Sequence, residues 1–125
     1  MATHKRIGFF FEQSVDEQRS QLNSLRNAEP HLREAEIIQY LTSGVDAGVA
    51  MIMEHDYLQE PPATLGEAVL KSDGEWIWPA SLAYFIREYH LTLPTEFLEK
   101  MEQHSWRVSP DVEYSPEIPD GHVEM

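Results

Sequence analysis

Apolar and polar positions switch between two periods along this chain, and the switches predict its elements. Residues 6–11, RIGFFF, are an apolar and aromatic run that predicts a strand. Residues 15–27 are polar, with Val15, Leu22 and Leu25 at rough helical spacing, which predicts a weak helix or an ordered loop. From residue 30 the pattern sharpens: Pro30 suits a first helical turn, and Ala35, Ile37, Ile38 and Leu41 recur near the helical period. The spacing predicts a helix over 30–43, with Gly44 as its stop. Residues 45–53, VDAGVAMIM, carry no charge after Asp46 and predict a buried strand. The following EHDYLQEPPATLGE, broken by Pro61 and Pro62, predicts a loop.

Then comes AVLKSDGEWIWP. Asp73-Gly74 between apolar runs predicts a two-residue hairpin turn, because both central positions of a type I′ turn need positive φ. That turn pairs Ser72 with Glu75, Lys71 with Trp76, Leu70 with Ile77 and Val69 with Trp78. Alternation puts Trp76, Trp78, Val69 and the stem of Lys71 on one face, and Leu70 and Ile77 on the other. Pro79 ends the strand and can open a helix whose stripe is Leu82, Phe85, Ile86 and Tyr89, with Ser81 as a capping residue. Pro94 starts a last helix with Phe97, Leu98 and Met101 on one side and Trp106 just beyond its end. Glu96 and Glu99 precede Lys100 there, which complements the helix dipole. The elements predict an α+β fold: a small, mainly antiparallel sheet that includes a 68–78 hairpin, with about three helices packed on it. Residues 1–108 form one domain in this scheme. Residues 109–125 form an acidic, proline-rich tail, expected to be extended or disordered.

Charge narrows the function. Twenty-two acidic residues face nine basic ones, a formal net charge of −13. That sign opposes a phosphate-binding surface and argues against nucleic acid as partner. It steers the chain toward basic partners instead. There is no cysteine, which excludes disulfides and thiolate metal sites and suits a reducing cytoplasm. No stretch approaches the roughly 18 apolar residues of a membrane helix, and Ile7 to Phe11 is too short for a signal-peptide core. The expectation is a cytoplasmic protein without a membrane contact.

Catalytic and metal chemistry find little support. Glu54-His55-Asp56 is the densest ligand cluster, but adjacent residues on an extended segment point opposite ways and cannot share one ion. HExxH is absent, and His90 and His104 stand 14 apart without a motif. GxSxG, SxxK and a phosphate-cradling glycine loop are absent too. No catalytic residue, metal ligand or cofactor is assigned. The tryptophan pair offers more. Trp76, Trp78, Tyr84 and Tyr89 could surround a pocket, or the indoles could form the inner face of the hairpin beneath the next helix; the apolar stripe of that helix favours the core. The acidic tail could fold onto a basic partner with Tyr114 and Ile118 as anchors.

The run DGEWIWPASLAYFIREYHLTLPTEFLEKM resembles the hallmark of a group of small bacterial proteins, with a pattern close to DG-x-W-x-WP-x-x-LAYY, then YH-x-x-LP-x-EF. IGFF at Ile7 to Phe10 and the segment YLTSG are similar as well. Phe85 stands where the group has a second tyrosine, Lys100 stands where it tends to have histidine, and the tail is additional. Small acidic proteins of this kind resemble immunity proteins of interbacterial toxin systems. The resemblance implies a non-enzymatic protein that binds and neutralises a cognate toxin with a basic surface. The acid-rich segments would then supply the contacts: Glu54, Asp56 and Glu60 in the central loop, and Asp111, Glu113, Tyr114 and Glu117 in the tail. The alternatives are a small-molecule binding module at the aromatic residues and an enzyme of unrecognised type.

Overall fold

The computed structural model describes residues 5–112 and the backbone of residues 122–123. The fold is α+β, with four α-helices among the described residues: α1 (Val15–Leu25), α2 (Glu34–Thr42), α3 (Ser81–Tyr89) and α4 (Thr95–Gln103). The strands are β1 (Lys5–Arg6), β2 (Val45–Asp56), β3 (Ala63–Ser72), β4 (Trp76–Pro79) and β5 (His122–Val123), and they lie side by side in the order β2-β3-β4-β1-β5. β2, β3 and β4 pair antiparallel, whereas β1 runs parallel to both β4 and β5. The sheet is therefore mixed. Of the strand expected over residues 6–11, only Arg6 belongs to the sheet. Gly8 turns the chain away at φ 81°, and Phe10–Glu12 continue as a 3₁₀ turn with Ile7, Phe9 and Phe10 buried.

α1 is better defined than its weak apolar spacing suggested, because Ser14 and Glu17 form a reciprocal cap. The Glu17 amide donates to Ser14 Oγ at 3.2 Å and the Ser14 amide donates to Glu17 Oε1 at 3.1 Å. α2 starts four residues later than Pro30 would place it. Gly44 follows its end, and its requirement is space more than conformation: a Cβ there would lie 2.7 Å from the Trp78 ring and 3.0 Å from Lys71 Cβ.

The core gathers where α2, α3 and α4 meet β4. Trp76 stacks on Phe97 with ring centroids 4.5 Å apart, and Trp78 lies between Phe97 (5.5 Å) and Tyr40 (6.0 Å). The Trp78 indole N–H donates to the Leu41 carbonyl at 3.1 Å, so the polar end of the buried ring is satisfied. Leu82, Phe85, Ile86 and Tyr89 of α3 and Phe97 and Met101 of α4 are all buried, as their stripes predict. Trp106 packs at the margin after a turn in which Ser105 and Trp106 both take positive φ.

The β3–β4 connection differs from the expected type I′ turn. Pairing runs Ser72↔Ile77, Lys71↔Trp78 and Leu70↔Pro79, two residues displaced, and of the two central residues Asp73 and Gly74 only Gly74 has positive φ. The cause is the Asp73 carboxylate. Its Oδ1 accepts from the amides of Glu75 (2.9 Å) and Trp76 (2.6 Å), and its Oδ2 accepts from the buried Tyr40 hydroxyl at 2.6 Å. Ser72 Oγ donates to the Trp76 carbonyl and accepts from the Gly74 amide. The side chains thus satisfy a wider loop, and a shift of two keeps both indoles on one face. Burial and the adjacent Asp73 charge push the Tyr40 phenol well above its ordinary range.

Candidate partner-binding surface

β2 and β3 form a long arm at one edge of the sheet, where a strand over 45–53, a loop over 54–67 and a hairpin from residue 68 were expected. β2 continues through Asp56 and β3 begins at Ala63, leaving only residues 57–62 as the connection. Three register shifts interrupt the ladder. The largest falls between Ala50↔Ala68 and Met53↔Glu67, where Met51 and Ile52 have no opposing residue on β3. Gly48 and Gly66 take φ of 113° and 104°, which a strand residue with a side chain rarely adopts. The bulge turns the middle of β2 outward. Met51 is 95% exposed and Val49 54%, with Ile52, Met53 and Val69 also exposed. The expected buried strand is thus mostly open, because β2 is an edge strand and none of the described helices covers this segment.

The far half of the arm is tied down on α3. Asp56, completely buried, accepts from the Tyr84 hydroxyl at 2.7 Å and the Tyr89 hydroxyl at 2.6 Å through Oδ2, and from the Leu58 amide at 3.0 Å through Oδ1. Gln59 donates to the Tyr89 hydroxyl, and Arg19 of α1 donates to the Tyr57 carbonyl. Burial, and secondarily the bond to Asp56, raises the Tyr89 phenol to about 12 and pushes Tyr84 higher still. Glu54, only 4% exposed, accepts from the Ser81 hydroxyl at 2.8 Å through Oε1. Burial raises its pKa, and the Ser81 bond opposes that shift. Ser81 therefore binds the arm rather than capping its own helix, where no side-chain cap is made.

Between the arm and the start of α3 lies a cavity of about 310 Å³, lined by Glu54, Leu65, Glu67, Val69, Ala80, Ser81 and Tyr84. A groove of about 290 Å³ beside it is lined by Met51, Ile52, Met53 and again Glu67, so the two recesses share one residue. A larger cavity, about 460 Å³, opens elsewhere between α2, α3 and the segment before α4. Ile37, Ile86, Leu91, Leu93 and Leu98 line it together with His90, whose Nδ1 lies 2.8 Å from Glu34 Oε1.

The predicted contact residues scatter across these features. Glu54 and Asp56 stand on a strand, not a loop, and their carboxylates accept hydrogen bonds from α3; Asp56 is closed off from the surface, whereas Glu54 borders the cavity. Glu60 is exposed in the connection. Asp111 is exposed, and nearby Val112 packs against the core. Glu113, Tyr114 and Glu117 lie outside the described residues. The aromatic pocket expected at Trp76, Trp78, Tyr84 and Tyr89 does not form as one space. Trp76 and Trp78 are closed in by Phe97 and Tyr40, while Tyr84 and Tyr89 meet at Asp56. Among the described residues no group of three or more histidine and acidic side chains is placed to hold a metal ion, and no helix is long and apolar enough to cross a membrane. The exposed methionines escaped sequence reasoning, although Gly48 inside an apolar run signals a bulge. No protein-family model, no curated protein and no solved structure matches this chain.

Proposed function

We propose that this chain is a non-enzymatic binding protein of the immunity type, which docks a basic protein partner, a toxin, on the β2–β3 arm. One observation carries the reading: Val49, Met51, Ile52 and Met53 are exposed together on an edge strand of a chain with a net charge of −13. A contiguous exposed apolar patch on a soluble fold marks an interaction site, and methionine adapts its shape to a partner surface. The surrounding negative field speeds encounter with a basic protein and selects against acidic ones. The acidic groups buried in the molecule fit a structural duty: Asp73 holds a turn, and Asp56 and Glu54 hold the arm to α3. The resemblance carried by the DGEWIWP block points to the same class.

Co-expression with the product of the gene next to its own tests the proposal. Co-purification and restored growth are expected, and the double variant Met51→Asp, Met53→Asp loses both while melting at an unchanged temperature. A neighbouring product that is neither toxic nor bound overturns the reading.

A further inference from the structure

We infer that the cavity at the foot of α3 is an anchor site for a single arginine side chain of the partner, with the partner's neighbouring apolar residue seated on Met51–Met53. This rests on the docking proposed above and gives the partner's contact a chemistry.

Three observations converge on it. The first is the unmatched charge. Asp46, Asp73, Glu75 and Glu96 each lie within 4.0 Å of a lysine nitrogen, and Glu12 and Glu36 pair with arginines. Glu54 and Glu67, both lining the cavity, have no cationic partner among the described residues. Arg87 lies 5.9 Å from the ring centroid of the cavity's Tyr84 and is engaged with Glu88 at 3.7 Å.

The second observation is the state of Glu54. Its side chain is withdrawn from water on the cavity wall, Oε1 takes the Ser81 hydroxyl at 2.8 Å, and no protein donor among the described residues meets Oε2. Oε2 is not sealed off and faces the cavity, and a carboxylate largely withdrawn from bulk water there gains from a charged donor that replaces its remaining water. Its raised pKa has the same cause.

The third is shape. Leu65 and Val69 give the cavity apolar walls, which suit the aliphatic stem of a long side chain whose head reaches a carboxylate. Arginine fits better than lysine, because its planar fork can serve Glu54 and still offer donors to Ser81 and Glu67. Glu67 also borders the methionine groove, so a cation held there is followed by an apolar contact along the same extended segment. A charged anchor beside an apolar patch is how a small interface gains specificity.

The test uses the peptide acetyl-Val-Arg-Leu-amide and its citrulline twin, which keeps the shape and removes the charge. Backbone amide shifts of the full chain report where each one binds. Saturable shifts at Glu54, Ser81 and Tyr84 are expected with arginine, with affinity at least about tenfold weaker for citrulline and about tenfold weaker in Glu54→Gln, the size of one lost charged hydrogen bond. Glutamine keeps an acceptor for Ser81, so this variant stays folded, and an unchanged spectrum elsewhere verifies it. Glu67→Gln, at an exposed position, gives a second and smaller loss. Equal response to both peptides, shifts confined to other regions, or no shift at millimolar peptide overturns the inference. The two proposals fail separately. A toxin that binds Glu54→Gln as well as the native chain removes the arginine anchor and leaves the docking surface. Peptide binding at the cavity alongside an inert neighbouring product removes the toxin and leaves the anchor.

Discussion

Trp76–Pro79 and Val49–Met53 are both short, uncharged stretches of strand, and the fold treats them oppositely. All four residues of β4 are buried, while four of the five in β2 are open to water. Hydrophobicity does not separate them; position does. β4 lies between β3 and β1, and its Trp76 and Trp78 are covered by residues of α2 and α4. β2 is an edge, and its bulge breaks the ladder just where the methionines stand. A bulge on an edge strand discourages indiscriminate pairing with other strands while presenting particular side chains. One hairpin builds the interior and the next displays a surface.

The largest effect that distinguishes them is in stability. Phe97→Ala removes the ring against which both indoles pack and should cost about 3–5 kcal/mol in urea unfolding. Met51→Ala, another truncation of an apolar residue, should stay within about 0.5 kcal/mol. Similar losses at the two sites would break the comparison.

A smaller effect probes what binds the arm to the core. Asp56→Ala leaves the Tyr84 and Tyr89 hydroxyls without their acceptor, a loss of about 1–3 kcal/mol. Hydrogen exchange should quicken at residues 53–58 and 63–66 while β4 keeps its protection. Uniform acceleration would mean that arm and core open as one unit.

The smallest effect is a pH dependence at Glu54. Burial raises its folded-state pKa, so folding favours the protonated form. Below the ordinary carboxylate value both folded and unfolded chains are protonated there and no penalty exists. As pH rises from that value through the raised one, the penalty develops in full. Glu54→Gln should therefore raise the melting temperature at neutral pH, and the gain should fade on acidification. A gain that ignores pH would have another origin.

The interior was legible in the sequence to the extent that one face of each element had to be covered. The stripes Leu82, Phe85, Ile86, Tyr89 and Phe97, Met101 are local patterns, and the burial of Trp76 and Trp78 followed from the stripe beside them. The arm was not legible. An uncharged run reads the same whether its strand is inner or edge, because that depends on strand order and not on period. Asp56 and its tyrosines are 28 and 33 residues apart, so nothing local links them. The hairpin register differs for another reason: a type I′ turn needs only a residue tolerant of positive φ at Asp73, whereas its carboxylate accepts from two backbone amides and holds a wider loop. The Ser14–Glu17 cap is a local signal three residues long that a reading of the apolar spacing of α1 alone does not register.

The outward bulge of β2 also gives the molecule a chemical marker of its own. Met51 meets solvent over nearly its whole surface, whereas Met101 is sealed in the core. Mild peroxide should convert the first to its sulfoxide and spare the second, with both read as mass changes in one digest. Whatever settles on the arm would shade the exposed sulfur, and the buried one would report whether the fold itself had loosened.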